Sequence, residues 1–349
     1  MFASVPDLLR LAVLPVLGWA AWRDVETRRV PSRTWYPLVA LGVLLLVWDA
    51  LGHVSMATSA DVLFFVRVAI SLFLVAPIAY IFWLLGGFGG ADAKALITIA
   101  ILLPTFPTYY FAGFTLPSTV TTLGVFSMTV LTNTVVLAAV YPLALAGRNL
   151  LDGDVRFPVV FLGRRIDVSA LSTAHGRLFE TPDGFSRNGL DIDALRMYLR
   201  WRGAKLADLR ADPDEFRDPE SIGATYDPTD GAVGVESDSQ APETGAADVD
   251  TDGGTAVTSD TNGRAAAASD TDVGTDDPWS AEAFLDSIDG TAYGTTPEKL
   301  RGGLEIVADR NEVWISPGIP FIVPMFVGTL LAFTYGDVVF GVLGALGVV

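Results

Sequence analysis

The 349-residue chain is predicted to be an all-α polytopic membrane protein of about six transmembrane helices, with a partly disordered cytoplasmic α+β insertion between helices 5 and 6. Three observations carry that prediction. Hydrophobic residues make up 51% of the chain, yet its formal net charge is −17, a combination that a single soluble domain does not accommodate. The two tendencies separate along the chain: apolar runs fill its first part and its end, and most acids lie between Asp208 and Glu312. Arginine and lysine also fall in alternate connections between the apolar runs.

The first apolar run, Val5 to Trp22, is apolar except for Asp7 and Arg10 near one end. It just crosses a ~30 Å hydrocarbon core, with Arg10 snorkelling toward the interface. The basic cluster follows this run, where a cleaved signal peptide would carry it in front, so the run is expected to be retained. Pro31 interrupts the polar loop that comes next. The second span is Trp35 to Leu51, and the third is Val62 to Leu85 with Pro77 as an expected kink. Ala95 to Phe114 is the fourth and weakest, because Pro104 and Pro107 leave it either kinked or short with a hydrophobic loop beyond. Thr119 to Leu145 is the fifth, and Pro320 to Val349 the sixth, with Gly341, Gly344 and Gly347 suited to close packing.

Arg23, Arg28, Arg29 and Arg33 follow the first span, Lys94 the third, and Arg148, Arg156, Arg164 and Arg165 the fifth. Those connections are therefore expected on the cytoplasmic side, with both termini external. The expected domains are 1–147, a membrane domain with helices 1–5; 148–316, a cytoplasmic soluble segment; and 317–349, the last transmembrane helix. Within the soluble segment, Val155 to Leu171 has a strand pattern around Phe157, Val159, Phe161, Ile166 and Val168. Leu190 to Leu209 has helical spacing, with Asp191 or Asp193 as the cap. Residues 219–296 are acidic and poor in large apolar groups, so disorder is expected, with one short helix around Trp279 and Phe284 to Ile288. Leu304 to Ile315 has a strand pattern.

The chain contains no cysteine, which excludes disulfides, thiolate metal sites and a thiol nucleophile. Two histidines, His53 and His175, are too few for an all-histidine metal site. No metal, cofactor or nucleic-acid partner is expected. Abundant aspartate with only three lysines fits a source adapted to high salt.

The stretch from Gly86 to Lys94 reads Gly-Gly-Phe-Gly-Gly-Ala-Asp-Ala-Lys, and its carboxylate, Asp92, lies at an expected membrane boundary. Glycine bares the backbone to a second chain, and a carboxylate there costs desolvation without a partner. The expected topology puts Asp24 at the same boundary. Two adjacent carboxyl groups do not both ionise cheaply, so the pair shares a proton. One member can then activate a water while the other protonates a scissile carbonyl. The alternative is two unrelated boundary charges paired with Arg23 and Lys94. Spacing and charge alone leave both readings open.

Asp24 followed by Arg28-Arg29-Val30-Pro31, together with Gly89-Gly90-Ala91-Asp92, resembles the archaeal prepilin/preflagellin peptidases, intramembrane aspartic proteases related to type IV prepilin peptidases. Gly89, Gly90, Ala91 and Asp92 fill that family's motif of Gly, any residue, a hydrophobic residue and Asp. The segment from Val313 to Pro320 is similar to the family's entry into its last helix. The resemblance covers Val5 to Gly147 and Val313 to Val349. It implies Asp24 and Asp92 as catalytic residues, with Gly89, Gly90 and Ala91 as the active-site motif. It implies an aspartic endopeptidase of the cell membrane that removes short basic leaders from pilin or archaellin precursors at the cytoplasmic face. It does not explain the long acidic insertion. The lack of cysteine and of a recognisable methyl-donor site implies cleavage without product methylation.

Competing readings are weaker. The glycine stretch lacks the Gly-Lys-Ser/Thr ending of a phosphate loop. A presenilin-like protease would carry its acids deeper in adjacent helices. An ion-coupled carrier would need polar residues near midplane and an inverted repeat, neither of which is visible. A non-catalytic scaffold recruiting partners through its acidic segment remains the other class of answer.

Overall fold

The computed structural model describes residues 2–85, 87–111, 113–186, 189–233, 277–288, 292–318 and 320–348. They form two compact units: Met1–Leu162 with Gly318–Val349, and Gly163–Pro317. Gly86 and Ile319, singled out in the sequence, lie outside the described residues.

In the first unit, α1 (Val5–Thr27) begins at a Ser4 cap that accepts from the Asp7 amide at 3.1 Å. Arg10 does not snorkel. It is 3% exposed and donates to the Leu102 carbonyl, to Asp7 at 2.7 Å and to Asp49. Interior pairing replaces the water that its guanidinium would otherwise need. A short 3₁₀ turn, Ser32–Thr34, precedes α2 (Tyr36–His53). In α3 (Ser59–Leu84) the expected kink takes the form of a π turn, Ser71–Val75, just before Pro77. There the Ser71 hydroxyl donates to the Ala100 carbonyl at 2.6 Å, joining α3 to the next helix.

That helix, α4 (Gly90–Leu102), has 13 residues and extends only about 20 Å. Leu103 precedes Pro104, and the residue before proline is disfavoured in helix, so the helix stops there. The expected span Ala95 to Phe114 is thus a short helix followed by a hairpin of β1 (Tyr109–Phe111) and β2 (Phe114–Leu116). α5 (Phe126–Leu151) starts later than the expected Thr119 and runs past Leu145. The expected strand at Phe157, Val159 and Phe161 is a 3₁₀ turn, Val159–Phe161, tied to α5 by the Asn149 amide donating to the Val160 carbonyl at 2.8 Å. The first unit therefore extends to Leu162, beyond the expected boundary at 147.

The second unit holds β3 (Arg164–Asp167), β4 (Arg177–Leu178), β5 (Glu180–Thr181) and β6 (Gly184–Phe185). Then come α6 (Ile192–Trp201), α7 (Leu206–Ala211), α8 (Pro213–Arg217), α9 (Ala281–Asp286), α10 (Pro297–Asp309) and β7 (Glu312–Ser316). A three-stranded antiparallel sheet has the order β3-β7-β4, with Ile166 opposite Val313. Asp191 caps α6 by accepting from the Asp193 amide. Leu304 and Ile306, expected in a strand, lie in α10, because a strand pattern this short also fits one buried helix face. The short helix expected around Trp279 and Phe284 is present as α9, and this end of the acidic segment is packed into the unit. Trp279 and Phe284 are fully buried, and the Tyr198 hydroxyl donates to the Trp279 carbonyl at 2.8 Å. Arg217 binds Glu305, which also accepts from the Trp279 indole at 2.9 Å. Residues 234–276 lie outside the described residues.

The chain returns to the first unit in α11 (Ile322–Thr334) and α12 (Val338–Ala345). The expected last span is therefore two short helices. Gly336, at φ +102°, turns between them where a Cβ would lie 1.9 Å from the Thr119 carbonyl oxygen. α11 packs along α5 and α1, and α4 lies against α2 and α3. Gly328 lets α11 approach α5 closely, since a Cβ there would meet the Thr134 amide at 2.9 Å. Among the described residues four stretches are long and apolar enough to cross a membrane: Val5–Thr27, Ser32–His53, Ser59–Leu84 and Phe126–Leu151. The protein has the build of a multi-pass membrane protein.

Candidate functional site: two buried carboxylates

Asp24 lies near the end of α1 and Asp92 in the first turn of α4. Both are buried, at 8% and 9% exposure. α1 ends three residues after Asp24 because Arg28 turns left-handed, at φ 57° and ψ 19°, its amide donating to the Asp24 carbonyl at 3.0 Å. That conformation is rare for a residue with a side chain. It makes the chain break direction at once, so the Asp24 carboxylate sits beside a helix terminus and not on an exposed helix face.

Asp92 is fixed from the other side. Its carboxylate accepts from the Gly89 amide at 3.0 Å, half of a capping box, where a negative charge also suits the helix N-terminus. A Cβ on Gly89 would lie 2.9 Å from that same carboxylate oxygen, so a side chain would push the carboxylate away. At Gly90 a Cβ would meet only the Trp83 indole nitrogen, at 3.7 Å, which leaves the backbone beside Ala91 uncrowded. Phe88 packs on Phe321 and on Phe82, with ring centroids 4.7 and 5.1 Å apart, and so ties the glycine stretch to α3 and to the start of α11.

The two carboxylates share an electrostatic neighbourhood. Asp92 feels the charge of Asp24, and both feel the Arg28 guanidinium. Among the described residues the Asp24 carboxylate accepts no hydrogen bond and forms no ion pair within 4 Å. A buried carboxylate left so is costly unless a proton, a water or a substrate group completes it. The pairing with Arg23 and Lys94, left open by the sequence, does not occur. Arg23 donates to the Arg29 carbonyl at 3.2 Å and lies over the Trp19 ring, while the Lys94 ammonium donates to the Ser32 hydroxyl at 2.6 Å. Glu26, two residues from Asp24, is exposed and has no ion pair among the described residues.

Two participants escaped the sequence reading. Ser32 follows Pro31 as an ordinary turn residue, and no local pattern marks it as the partner of Lys94. Arg28 was visible as part of a motif. Its action on both carboxylates depends on a left-handed backbone that no composition rule indicates. Its Nε is buried without a hydrogen-bond partner. Among the described residues no group of three or more His, Asp or Glu could hold a metal ion. The arrangement gathers two buried carboxyl groups, an arginine whose charge reaches both, and an uncrowded glycine backbone.

Residues 11–143, which include both aspartates, match the type IV leader peptidase family. A stretch of 139 residues is 29% identical to prepilin peptidase EppA of Methanothermobacter thermautotrophicus, covering 39% of this chain and 34% of that protein. The chain thus spans about a third of the length of the curated relative it matches.

Proposed function

We propose that this prepilin peptidase-like chain is an intramembrane aspartic endopeptidase that removes short basic leaders from type IV pilin-like precursors, archaellins included, at the cytoplasmic membrane face. The observation that carries the reading is the burial of Asp24 and Asp92, from two separate motifs, near enough for the Asp24 charge to bear on Asp92. In the proposed reaction the ionised carboxyl takes a proton from a water as its oxygen attacks the scissile carbonyl carbon. The protonated carboxyl gives its proton to the carbonyl oxygen, forming a tetrahedral diol. On collapse a diol hydroxyl returns its proton to the carboxylate that had protonated the carbonyl, and the departing amine takes the proton that the other carboxyl drew from water as the C–N bond breaks. Neither carboxyl is consumed, and each ends ready for the next turnover. Arg28 keeps the pair from carrying an uncompensated negative charge. The substrate's extended backbone lies along Gly89, Gly90 and Ala91, where side chains do not obstruct it.

The assay combines membranes containing the chain with a pilin-like precursor and scores leader removal by gel shift. Cleavage by the wild type, absent from membranes of Asp24→Asn and Asp92→Asn at equal abundance, supports the reading. No cleavage by the wild type of any pilin-like or archaellin-like precursor overturns it.

A further inference from the structure

The second unit contains a cavity of about 650 Å³ between α6, α7 and the 3₁₀ turn Val168–Ser172. It is an open cleft at the surface of the unit, with Ser169, Ser172, Lys205 and Ala207 exposed along its edge. Its size lies in the ~300–1,000 Å³ range of small-molecule sites. Leu171, Leu195, Leu199 and Leu206 give it an apolar wall. Water against such a wall finds few partners and yields readily to an apolar body.

The charged residues that line it are Arg196, Arg200, Lys205 and Arg210, with no carboxylate among them. In a chain with 40 acidic and 23 basic residues, that selection runs against composition. Two of the four cations hold the fold. Arg196 donates to the carbonyls of Leu171, Ala174 and Gly231 and pairs with Asp193. Arg200 donates to the Thr229 hydroxyl and the Ala232 carbonyl. The other two retain capacity. Lys205 is exposed and its ammonium has no partner among the described residues, and Arg210 uses one nitrogen, on Asn311 at 2.8 Å. Asp208, the nearest acid on α7, is turned to the helix start, where it accepts from the Lys205 amide at 2.8 Å.

We propose that this cavity binds a small anionic amphiphile, its apolar body against the four leucines and its carboxylate or phosphate held by Lys205 and Arg210. An apolar wall supplies affinity without direction, and the two cations at its edge fix the orientation and select charge.

The test uses the full chain, purified in an amphipathic polymer so that no bilayer absorbs the probes. Dodecanoate, dodecyl phosphate and dodecanol are titrated by calorimetry. The two anions are expected to bind saturably at one per chain, and dodecanol at least tenfold more weakly. Lys205→Glu combined with Arg210→Gln should weaken anion binding at least tenfold. Ala207→Trp, at an exposed lining position, should obstruct the cavity. Competition by a short-chain phosphatidylglycerol would identify a lipid headgroup as the source. Binding of dodecanoate without such competition would identify a free acid. Absence of saturable binding to the wild type overturns the proposal. So does equal affinity for dodecanol, or unchanged anion affinity in the Lys205/Arg210 variant. If Ala207→Trp does not fold, the Lys205/Arg210 variant decides alone.

Discussion

The Lys94 ammonium donates to the Ser32 hydroxyl at 2.6 Å and thereby bolts the loop after Asp24 to the helix that carries Asp92. Lys94 is exposed and both motifs are held by other contacts, so the bond is a brace whose value lies in geometry more than in stability. Lys94→Met is expected to lower cleavage about tenfold with little change in abundance, since small misplacements of reacting groups cost rate steeply. Ser32→Ala should have a smaller effect in the same direction, and Ser32→Thr should restore it. Equal rates for Lys94→Met and wild type, in single-turnover cleavage of a precursor, would remove the brace from the mechanism.

Asp24→Asn and Asp92→Asn should each reduce leader removal by at least ~10²-fold, the lower end of what acid–base groups contribute. Asp24→Glu and Asp92→Glu should be poorly tolerated as well, because a further methylene displaces the carboxyl. Glu26→Gln is the matched control. It lies on the same helix two residues from Asp24 but is exposed, and it should cleave normally. Near-normal cleavage by either Asn variant would reduce the pair to boundary charges.

Asp49 is a stability position. Its carboxylate pairs with Arg10, whose side chain is buried. Asp49→Asn leaves Arg10 with Asp7 and the Leu102 carbonyl, so the loss should be part of what a broken buried pair costs, about 1–3 kcal/mol. A lowered thermal midpoint in detergent, with cleavage retained by the protein that remains folded, is the expected result.

Glu305 predicts an acid limb for the second unit. Its hydrogen bond from Arg217, with a second from the Trp279 indole, holds the carboxyl below the ordinary glutamate range. The folded form therefore gives up this proton at lower pH than the unfolded chain does. The resulting stability is complete above about pH 4.5 and disappears as pH falls through the lowered value. Because the pair is partly exposed, its contribution is only about 1 kcal/mol. Glu305→Gln should remove that part of the pH dependence in tryptophan-fluorescence unfolding. Asp191, which burial pushes up, acts in the opposite sense and is unchanged in that comparison.

A deletion of 223–294 removes Trp279 and Phe284 from the core and should unfold the second unit, since Phe or Trp truncations alone cost ~3–5 kcal/mol. A deletion of 234–276 removes no described packing, and membranes of that variant should still cleave. Protease resistance of the fragment Gly163–Pro317 distinguishes the two.

The long apolar runs and both aspartates were legible in the sequence because length, hydropathy and charge act locally. What was not legible depends on partners far along the chain. Arg10 looked like an interfacial residue until Asp49, 39 positions away, came beside it. Pro104 was visible as a breaker, but whether the chain beyond it would kink or form the β1–β2 hairpin depended on packing. Trp279 and Phe284 sit in a composition that signals disorder, and burial of the Phe284 ring against Tyr198 and of the Trp279 indole on Glu305 outweighs that average locally. That Asp24 and Asp92 lie at one boundary was legible as an expectation. The left-handed Arg28 and its shared role were not.

The 13-residue lengths of α4 and α11 bear on the lipid itself. Each extends about 20 Å where a typical hydrocarbon core is ~30 Å, a mismatch that a bilayer meets by thinning or by admitting polar matter at the helix ends. Asp92 stands in the first turn of one such helix. On the proposed function, a short helix at this position would bring polar matter close to the group that handles water, and leader removal compared in vesicles of shorter and longer acyl chains is the measurement that checks it.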